Sequence, residues 1–460
     1  MPDRSSGRAM SYGRGATLLS ALVAATGVMT YGFHSLAAHA LGRNTYGVIG
    51  VLWAAVFLTA SVIYRPVEQL LSRTIAERQA KGRPTGQALR VAATIQLALA
   101  ALFVALALAF RGKIENELFN GSATLYWCLV GAVVLYAASY FARGFLAGQQ
   151  RFGLYGGLVL MESASRFVLG VLLAAGVLEG RNAAAIAIAV APLLSLIVVP
   201  WALGRQVRRL SSRATQDSGA DADEPEFTFA HGLGFAGAVL VIMFSEQSIL
   251  NSGVLIVKVD TGSDSLAALI FAVLMIARAP LQLFQAVSTT LLPHLTRLIV
   301  REQGSAHAGD FGRSVRLTVA ACLGFGAATV IGVLIAGPPV MRLLFGSKFN
   351  YDRGGLALVA AGMGMYLAAT TLNQAVLAQG RARIAAGAWA LSATFFVTFL
   401  LAASMQPVRE VEVAFIATAA ILSSLLYVAY RRPMKAAERR IQPGSTEEME
   451  AVLAAADEGT

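Results

Sequence analysis

The stretch "FGLYGGLVLMESASRFVLGVLLAAGVL", residues 152–178, is apolar or small at almost every position, yet it sets Glu162 and Arg166 one helical turn apart near its middle. A run of this length and polarity matches the ~20 residues a helix needs to cross the hydrocarbon core of a bilayer. The two charges are what such a run should lack. Composition decides between a buried soluble helix and a membrane span. The chain has 460 residues, of which 56% are hydrophobic and 14% charged, against about 25% charged in an average soluble domain. A soluble chain of this length needs far more polar surface, so the bilayer is the solvent for most of it.

Working outward from 152–178, eleven similar runs lie at 16–41, 45–71, 87–110, 122–147, 182–204, 230–257, 265–291, 313–336, 353–379, 382–404 and 410–430. The first run follows Arg4, Arg8 and Arg14 and ends near "AHA" at 38–40, but it is too long for a signal-peptide core and reads as a helix that stays. Lys and Arg set the orientation. With the N-terminus inside, 25 of the 37 basic residues fall in cytoplasmic segments, among them Arg143 and Arg151 after the fourth helix. Both termini are therefore expected in the cytoplasm of a multi-pass protein of a bacterial plasma membrane. The net charge of +11 follows from basic loops beside anionic membrane lipids and calls for no nucleic acid.

The sequence repeats. "LSRTIAERQ" (71–79) returns as "LTRLIVREQ" (295–303), "LAGQQRF" (146–152) as "LAQGRAR" (377–383), and "SASRFV" (163–168) as "SATFFV" (392–397), at offsets of 224, 231 and 229. Three matches in one order at nearly one offset divide the chain into two six-helix units of the same orientation, related by an axis along the membrane normal. The expected fold is all-α, with twelve transmembrane helices in two pseudo-symmetric lobes around a central cleft. Its parts are a cytoplasmic segment at 1–15, an N-lobe at 16–204, a polar linker at 205–229 containing "SSRATQDSGADADEPE", a C-lobe at 230–430 and a cytoplasmic tail at 431–460.

Several chemistries are absent from the sequence. The one Gly-Lys pair is followed by Ile114, so no P-loop is encoded, and no "HExxH" or "GxSxG" occurs. An enzyme is not expected, nor a bound metal or cofactor, although a coupling H⁺ or Na⁺ is compatible with the pattern. Cys128 and Cys322 fall within spans and read as packing residues. The "NGS" at 120–122 lies too close to the membrane to read as a glycosylation site. Tyr12, Trp53, Trp127 and Trp201, near span ends, read as interfacial anchors.

Two six-helix lobes, "LGRNTYG" after the first helix, "RPVEQLLSRTIAER" ending the second, "RGFLAGQQRFGLYG" ending the fourth and "RAPLQLFQAVSTTLLPHLTR" on the eighth together resemble the multidrug/oligosaccharidyl-lipid/polysaccharide exporter superfamily. The resemblance covers essentially the whole chain and is strongest to the polysaccharide-transport branch, the O-antigen-type flippases. The eighth-helix stretch is also similar to lipid II flippases, which usually carry fourteen helices rather than twelve. The resemblance implies an alternating-access flippase moving a polyprenyl-pyrophosphate-linked oligosaccharide outward for cell-surface polysaccharide synthesis. Its partners would be that lipid-linked saccharide, membrane lipids, a polysaccharide polymerase and glycosyltransferases. The alternative within the superfamily is a cation-coupled multidrug antiporter, which calls for a buried acidic cluster.

The candidate cargo-binding residues are the charges inside the spans: Arg65, Glu68, Glu162, Arg166, Glu246 and Arg278. Each costs about 2.5–3.5 kcal/mol facing lipid at the bilayer centre, so each should face protein or a wet cavity. Glu162 with Arg166, and Arg65 with Glu68, can pair along their own helices. They are either neutralised structural pairs or a cationic cleft in which arginine grips phosphate and glutamate holds it in aim. His34 and His39 on the first helix read as packed rings or as proton relays.

Overall fold

In a computed structural model the chain is described over residues 4–80, 84–197, 229–278 and 310–432, with side chains from 21 in the first stretch and from 237 in the third. All regular structure in these residues is helical. In chain order the helices are α1 (Arg4–Ala80), α2 (Gly86–Ala109), α3 (Arg111–Phe119), α4 (Ala123–Gly148), α5 (Phe152–Ala174), α6 (Gly180–Ser195), α7 (Phe229–Thr261), α8 (264–278), α9 (Asp310–Phe345), α10 (Arg353–Ala378), α11 (Ala382–Ala402) and α12 (Pro407–Arg431). Nine of the described helices are long and apolar enough to cross a membrane. The first of these is two spans: α1 breaks at Gly42, whose φ of 73° and ψ of 167° belong to no helix. That break falls in "LGRNTYG", where a residue without Cβ adopts positive φ at no steric cost. The two arms of α1, together with α6 and α8, bring the spans to the twelve expected. The short helix α3 on the far side was not expected, and α9 runs nine residues past its expected end at 336, through Pro338 and Pro339.

The N-lobe packs α1 against α4 and α5, and α6 against the same two helices, while the C-lobe packs α10 against α9 and α12 and α11 against α7 and α12. The repeat is visible in the turns. After α4, Gln150 N–H bonds Ala147 O and Arg151 N–H bonds Leu146 O; after α10, Gly380 N–H bonds Leu377 O and Arg381 N–H bonds Val376 O. Gln150 and Gly380 have φ of 56° and 74°. Both turns are the same left-handed helix stop, 230 residues apart.

The lobes meet through α1 against α7 and α9 and through α3 against α7. The side bearing the α1 break, α3 and the α7–α8 turn is called outer here, after the charge count. On it, Arg43 Nε donates to Ser265 O at 3.2 Å; deeper in the interface, Tyr31 Oη donates to Met275 O at 2.7 Å. Close approach requires glycine at 47, where a Cβ would lie 1.9 Å from Asp264 O. Lys258, fully buried, joins Asp264 Oδ1 at 2.6 Å and Asn120 Oδ1 at 2.7 Å. Asn120 is therefore the N-lobe half of an inter-lobe contact. Outside the spans, burial and the Glu412 carboxylate that it donates to push the Tyr351 phenol up.

The linker at 205–229 apart from Phe229, most of the tail at 431–460, the segment "LTRLIVREQ", the end of the eighth span and Trp201 lie outside the described residues, as does the side chain of Tyr12.

Candidate functional site

Three helices of the N-lobe bring its interior charges together. Polar residues on α4 share one face at Tyr136, Tyr140 and Arg143, an i, i+4, i+7 pattern, and that face meets Glu162, Ser163 and Arg166 of α5. The expected pair exists: Arg166 Nη1 lies 3.0 Å from Glu162 Oε1, with both side chains only 3% exposed. It is not alone. Arg143 also binds Glu162, through Oε2, and Tyr136 Oη donates to Glu162 Oε1 at 2.6 Å. Arg166 further donates to Tyr136 Oη at 2.9 Å and to Ser163 Oγ at 3.2 Å. Its guanidinium sits 4.9 Å from the Trp53 ring centre and 5.6 Å from that of Phe57. One carboxylate thus holds two arginines, one of them stacked on aromatic faces as guanidinium favours.

Two expectations change here. Arg143, counted among the cytoplasmic loop charges, points into the lobe with a side chain only 12% exposed and stacks on Tyr140. Its register on α4, one and two turns beyond Tyr140 and Tyr136, is the signal that could have found it. Trp53, expected at the interface as an anchor, is buried and serves as the platform for Arg166. Trp127 remains exposed, with Arg111 over its ring, as an interfacial anchor should.

Arg65 and Glu68 behave differently from a simple pair. Glu68 is buried and accepts a hydrogen bond from Tyr155 Oη at 3.2 Å. Arg65 is partly exposed and makes no ion pair among the described residues; the carboxylates whose charge acts on it are Glu246 on α7 of the other lobe and Glu68 on its own helix. Arg278 on α8 is also partly exposed; its Nη1 donates to Asn251 Oδ1 at 3.3 Å, and its Nε has no hydrogen-bond partner. Among the described residues no carboxylate pairs with it. The six expected residues therefore form two groups: Glu162 and Arg166 in a paired cluster inside the N-lobe, where Glu68 also meets Tyr155 of the same lobe, and a looser set at Arg65, Glu246 and Arg278. Tyr136, Arg143, Tyr155 and Asn251 join them unannounced by the sequence reading.

Above these charges the lobes are sealed by rings. His34 and Tyr46 of α1, Phe271 of α8, and Phe345 and Phe349 at the outer end of α9 pack together, all fully or almost fully buried. Among the described residues, no group of three or more His, Cys, Asp or Glu side chains is placed to hold a metal ion.

No family model and no curated protein sequence matches the chain. Solved structures do. A point mutant of the Vibrio cholerae MATE transporter VcmN matches with a TM-score of 0.59 at 16% identity, covering 93% of this chain and 98% of its own. An outward-facing multidrug resistance MATE family transporter of the MOP superfamily matches at 0.59 and 13%, covering 91% and 95%. The eukaryotic MATE transporter AtDTX14 matches at 0.56 and 15%, covering 94% and 98%. The chain has the MATE transporter fold. At these identities the likeness establishes architecture: a multi-pass membrane protein of twelve helices in two lobes.

Proposed function

We propose that the chain is an alternating-access exporter of the MOP superfamily. The observation that carries this reading is the match along nearly the whole chain to MATE transporters solved in both inward-facing and outward-facing conformations. A protein with two lobes, a polar set between them and a seal on one side has the parts that rocking requires. For the cargo, the neighbours support a cation-coupled multidrug antiporter better than the flippase suggested by the motifs.

A second reading is kept by one specific observation. Of the charges named above, Arg65, Arg143, Arg166 and Arg278 outnumber Glu68, Glu162 and Glu246, and among the described residues Arg278 has no carboxylate partner. An excess of guanidinium suits an anionic head group such as the pyrophosphate of a polyprenyl-linked saccharide. Arg278 and Arg65 would then touch the phosphates between the lobes, while Glu162 and Arg143 hold Arg166. This reading retains polysaccharide polymerase and glycosyltransferases as partners and a bacterial plasma membrane as the location.

Proteoliposomes separate the two. Under the antiporter reading, a fluorescent amphipathic drug moves when a proton or sodium gradient is imposed, and a short-chain polyprenyl-pyrophosphate saccharide does not flip. The flippase reading expects the reverse. Movement of neither, in vesicles whose protein passes size-exclusion and orientation checks, would overturn the exporter reading.

A further inference from the structure

The short helix α3 carries one residue across the outer seam between the lobes. Asn120 ends it in the left-handed region, at φ 53° and ψ 42°, and the turn is held by Gly121 N–H to Glu115 O at 2.9 Å and by the fully buried Phe119. On the other lobe, the α7–α8 turn folds Asp264 back beside Lys258, whose Nζ lies 2.6 Å from Asp264 Oδ1 and donates to Gly262 O at 3.0 Å. The Asn120 amide meets both members of this pair. Its Oδ1 accepts from Lys258 Nζ at 2.7 Å, and its Nδ2 donates to Asp264 Oδ2 at 2.8 Å. Ammonium and carboxylate together force that orientation, since turning the amide over would set donor against donor and acceptor against acceptor.

We propose that Asn120 is a neutral latch on the outer face: its amide, seated on the Lys258–Asp264 pair, sets the equilibrium between the closed outer seam and the open one. This inference rests on the exporter reading for its two conformations, but not on the cargo. Lys258 and Asp264 belong to one lobe, so their ion pair persists when the lobes part and only Asn120 leaves. Water then replaces the amide on each charge, and Lys258 keeps Asp264 and Gly262 O. A salt bridge between the lobes would instead leave two charges alone on opening. A neutral group that both donates and accepts therefore holds the seam shut and releases it reversibly. Each of its two bonds goes to a charged partner, and the loss of one such bond shifts an equilibrium about tenfold or more. The same α7–α8 turn receives Arg43 at Ser265 O and the close approach of Gly47 at Asp264 O, so the latch acts where the lobes already touch backbone to backbone.

The test uses Asn120→Gly, which removes the amide and keeps the left-handed turn free of strain. Nitroxides on Glu179→Cys and Met405→Cys, exposed outer positions of the N-lobe and the C-lobe, in a background lacking Cys128 and Cys322, report the separation of the lobes by pulsed electron resonance in nanodiscs. The ratio of long to short distances should rise about tenfold or more in Asn120→Gly, and Asn116→Ala, an exposed position elsewhere on α3, should leave it unchanged. In a Lys258→Met, Asp264→Ala background the same Asn120→Gly substitution should have no further effect, because the amide has no charge left to hold. An Asn120→Gly protein with the parent's ratio, or one that shifts equally in the uncharged background, overturns the proposal. Should that background fail to fold, Lys258→Met alone serves: there the shift should shrink, and an undiminished shift overturns the proposal. Where parent and variant both show only short distances, amide hydrogen exchange at the α7–α8 turn reads the rarer openings; it should quicken about tenfold or more in Asn120→Gly, and equal exchange overturns the proposal. No cargo enters these measurements, so failure to move either cargo class in proteoliposomes would strike the exporter reading and leave the latch to stand or fall on the distances and exchange.

Discussion

Glu162→Gln should be the most damaging neutral substitution in the N-lobe, although it changes the shape of the side chain least. The carboxylate faces two guanidinium groups, Arg166 at 3.0 Å and Arg143 as close, and each attraction is of order 4 kcal/mol at the effective dielectric appropriate to such sites. Removing it loses both and leaves two cations repelling each other. Relief of the carboxylate's own desolvation offsets part of this, for a net cost of about 3–5 kcal/mol. Arg143→Gln instead leaves the Glu162–Arg166 pair one to one, with Tyr136 still donating, and should cost about 1.5–3 kcal/mol, the worth of a hydrogen bond to a charged group. Arg166→Gln falls between, since it also abandons the Trp53 and Phe57 rings at about 0.5–2 kcal/mol. The double substitution Glu162→Gln with Arg166→Gln, which the sequence alone suggests is charge-free, strands Arg143 and should stay destabilised until Arg143→Gln is added. Fluorescence-detected size exclusion after a heat ramp ranks the variants. A Glu162→Gln protein that survives as well as Arg143→Gln, or a triple variant no better than the double, would refute the shared-carboxylate account.

Crosslinking Arg43→Cys to Ser265→Cys, positions joined across the lobes at 3.2 Å, should abolish transport while leaving the protein monodisperse; full transport in a crosslinked sample would count against rocking. Gly47→Val, with its Cβ aimed at Asp264 O, should prevent the outer face from closing and make position 34 reactive, as His34→Cys, to an impermeant thiol reagent. Ser218→Cys, in the linker, should be protected from the same reagent in intact cells, and rapid labelling there would reverse the orientation drawn from the basic residues. Arg278→Lys should retain part of the transport of an anionic cargo, and Arg278→Gln none, with protein levels unchanged; equal activity in both would remove Arg278 from the cleft.

The parts of the fold that the sequence made legible are those that hydrophobicity and turn chemistry dictate locally. The span count follows from runs that must satisfy their own backbone in lipid, and the repeat shows in the matched stops at Gln150 and Gly380. The Glu162–Arg166 pair was legible because i, i+4 spacing on one helix fixes its geometry. Arg143 was not, because its partner lies on a different helix and its place near a span end makes it indistinguishable from a positive-inside loop charge. Trp53 was misread for the same reason: a tryptophan at a helix end is ordinarily interfacial, and only the packing of α5 against α1 turns it inward. The charge of Glu246 on α7 acts on Arg65 as well as that of Glu68, and no sequence period links α1 to α7.

The division of charges bears on what the two lobes do. In the buried N-lobe cluster every charge has an opposite partner, although Arg143 Nε and Arg166 Nε make no hydrogen bond, and Thr30 Oγ1 to Ser163 Oγ at 3.2 Å ties the cluster back to α1. A cluster so paired resists rearrangement, since each broken ion pair leaves a buried charge alone, and it is expected to move as a rigid part of its lobe. Arg65, Glu246 and Arg278 differ because the attraction between Arg65 and Glu246 crosses the lobe interface and therefore changes whenever the lobes rotate. An anion entering between the lobes from the side opposite the seal meets Arg278 unopposed by a carboxylate and competes with Glu246 for Arg65. A cation entering there must instead displace Arg65 from Glu246 and approach Arg278 against repulsion. On the exporter reading, cargo sign is expected to be decided between the lobes rather than within the buried cluster, so exchanging charge at 246 and 278 should alter cargo preference where changes at 143, 162 and 166 alter stability.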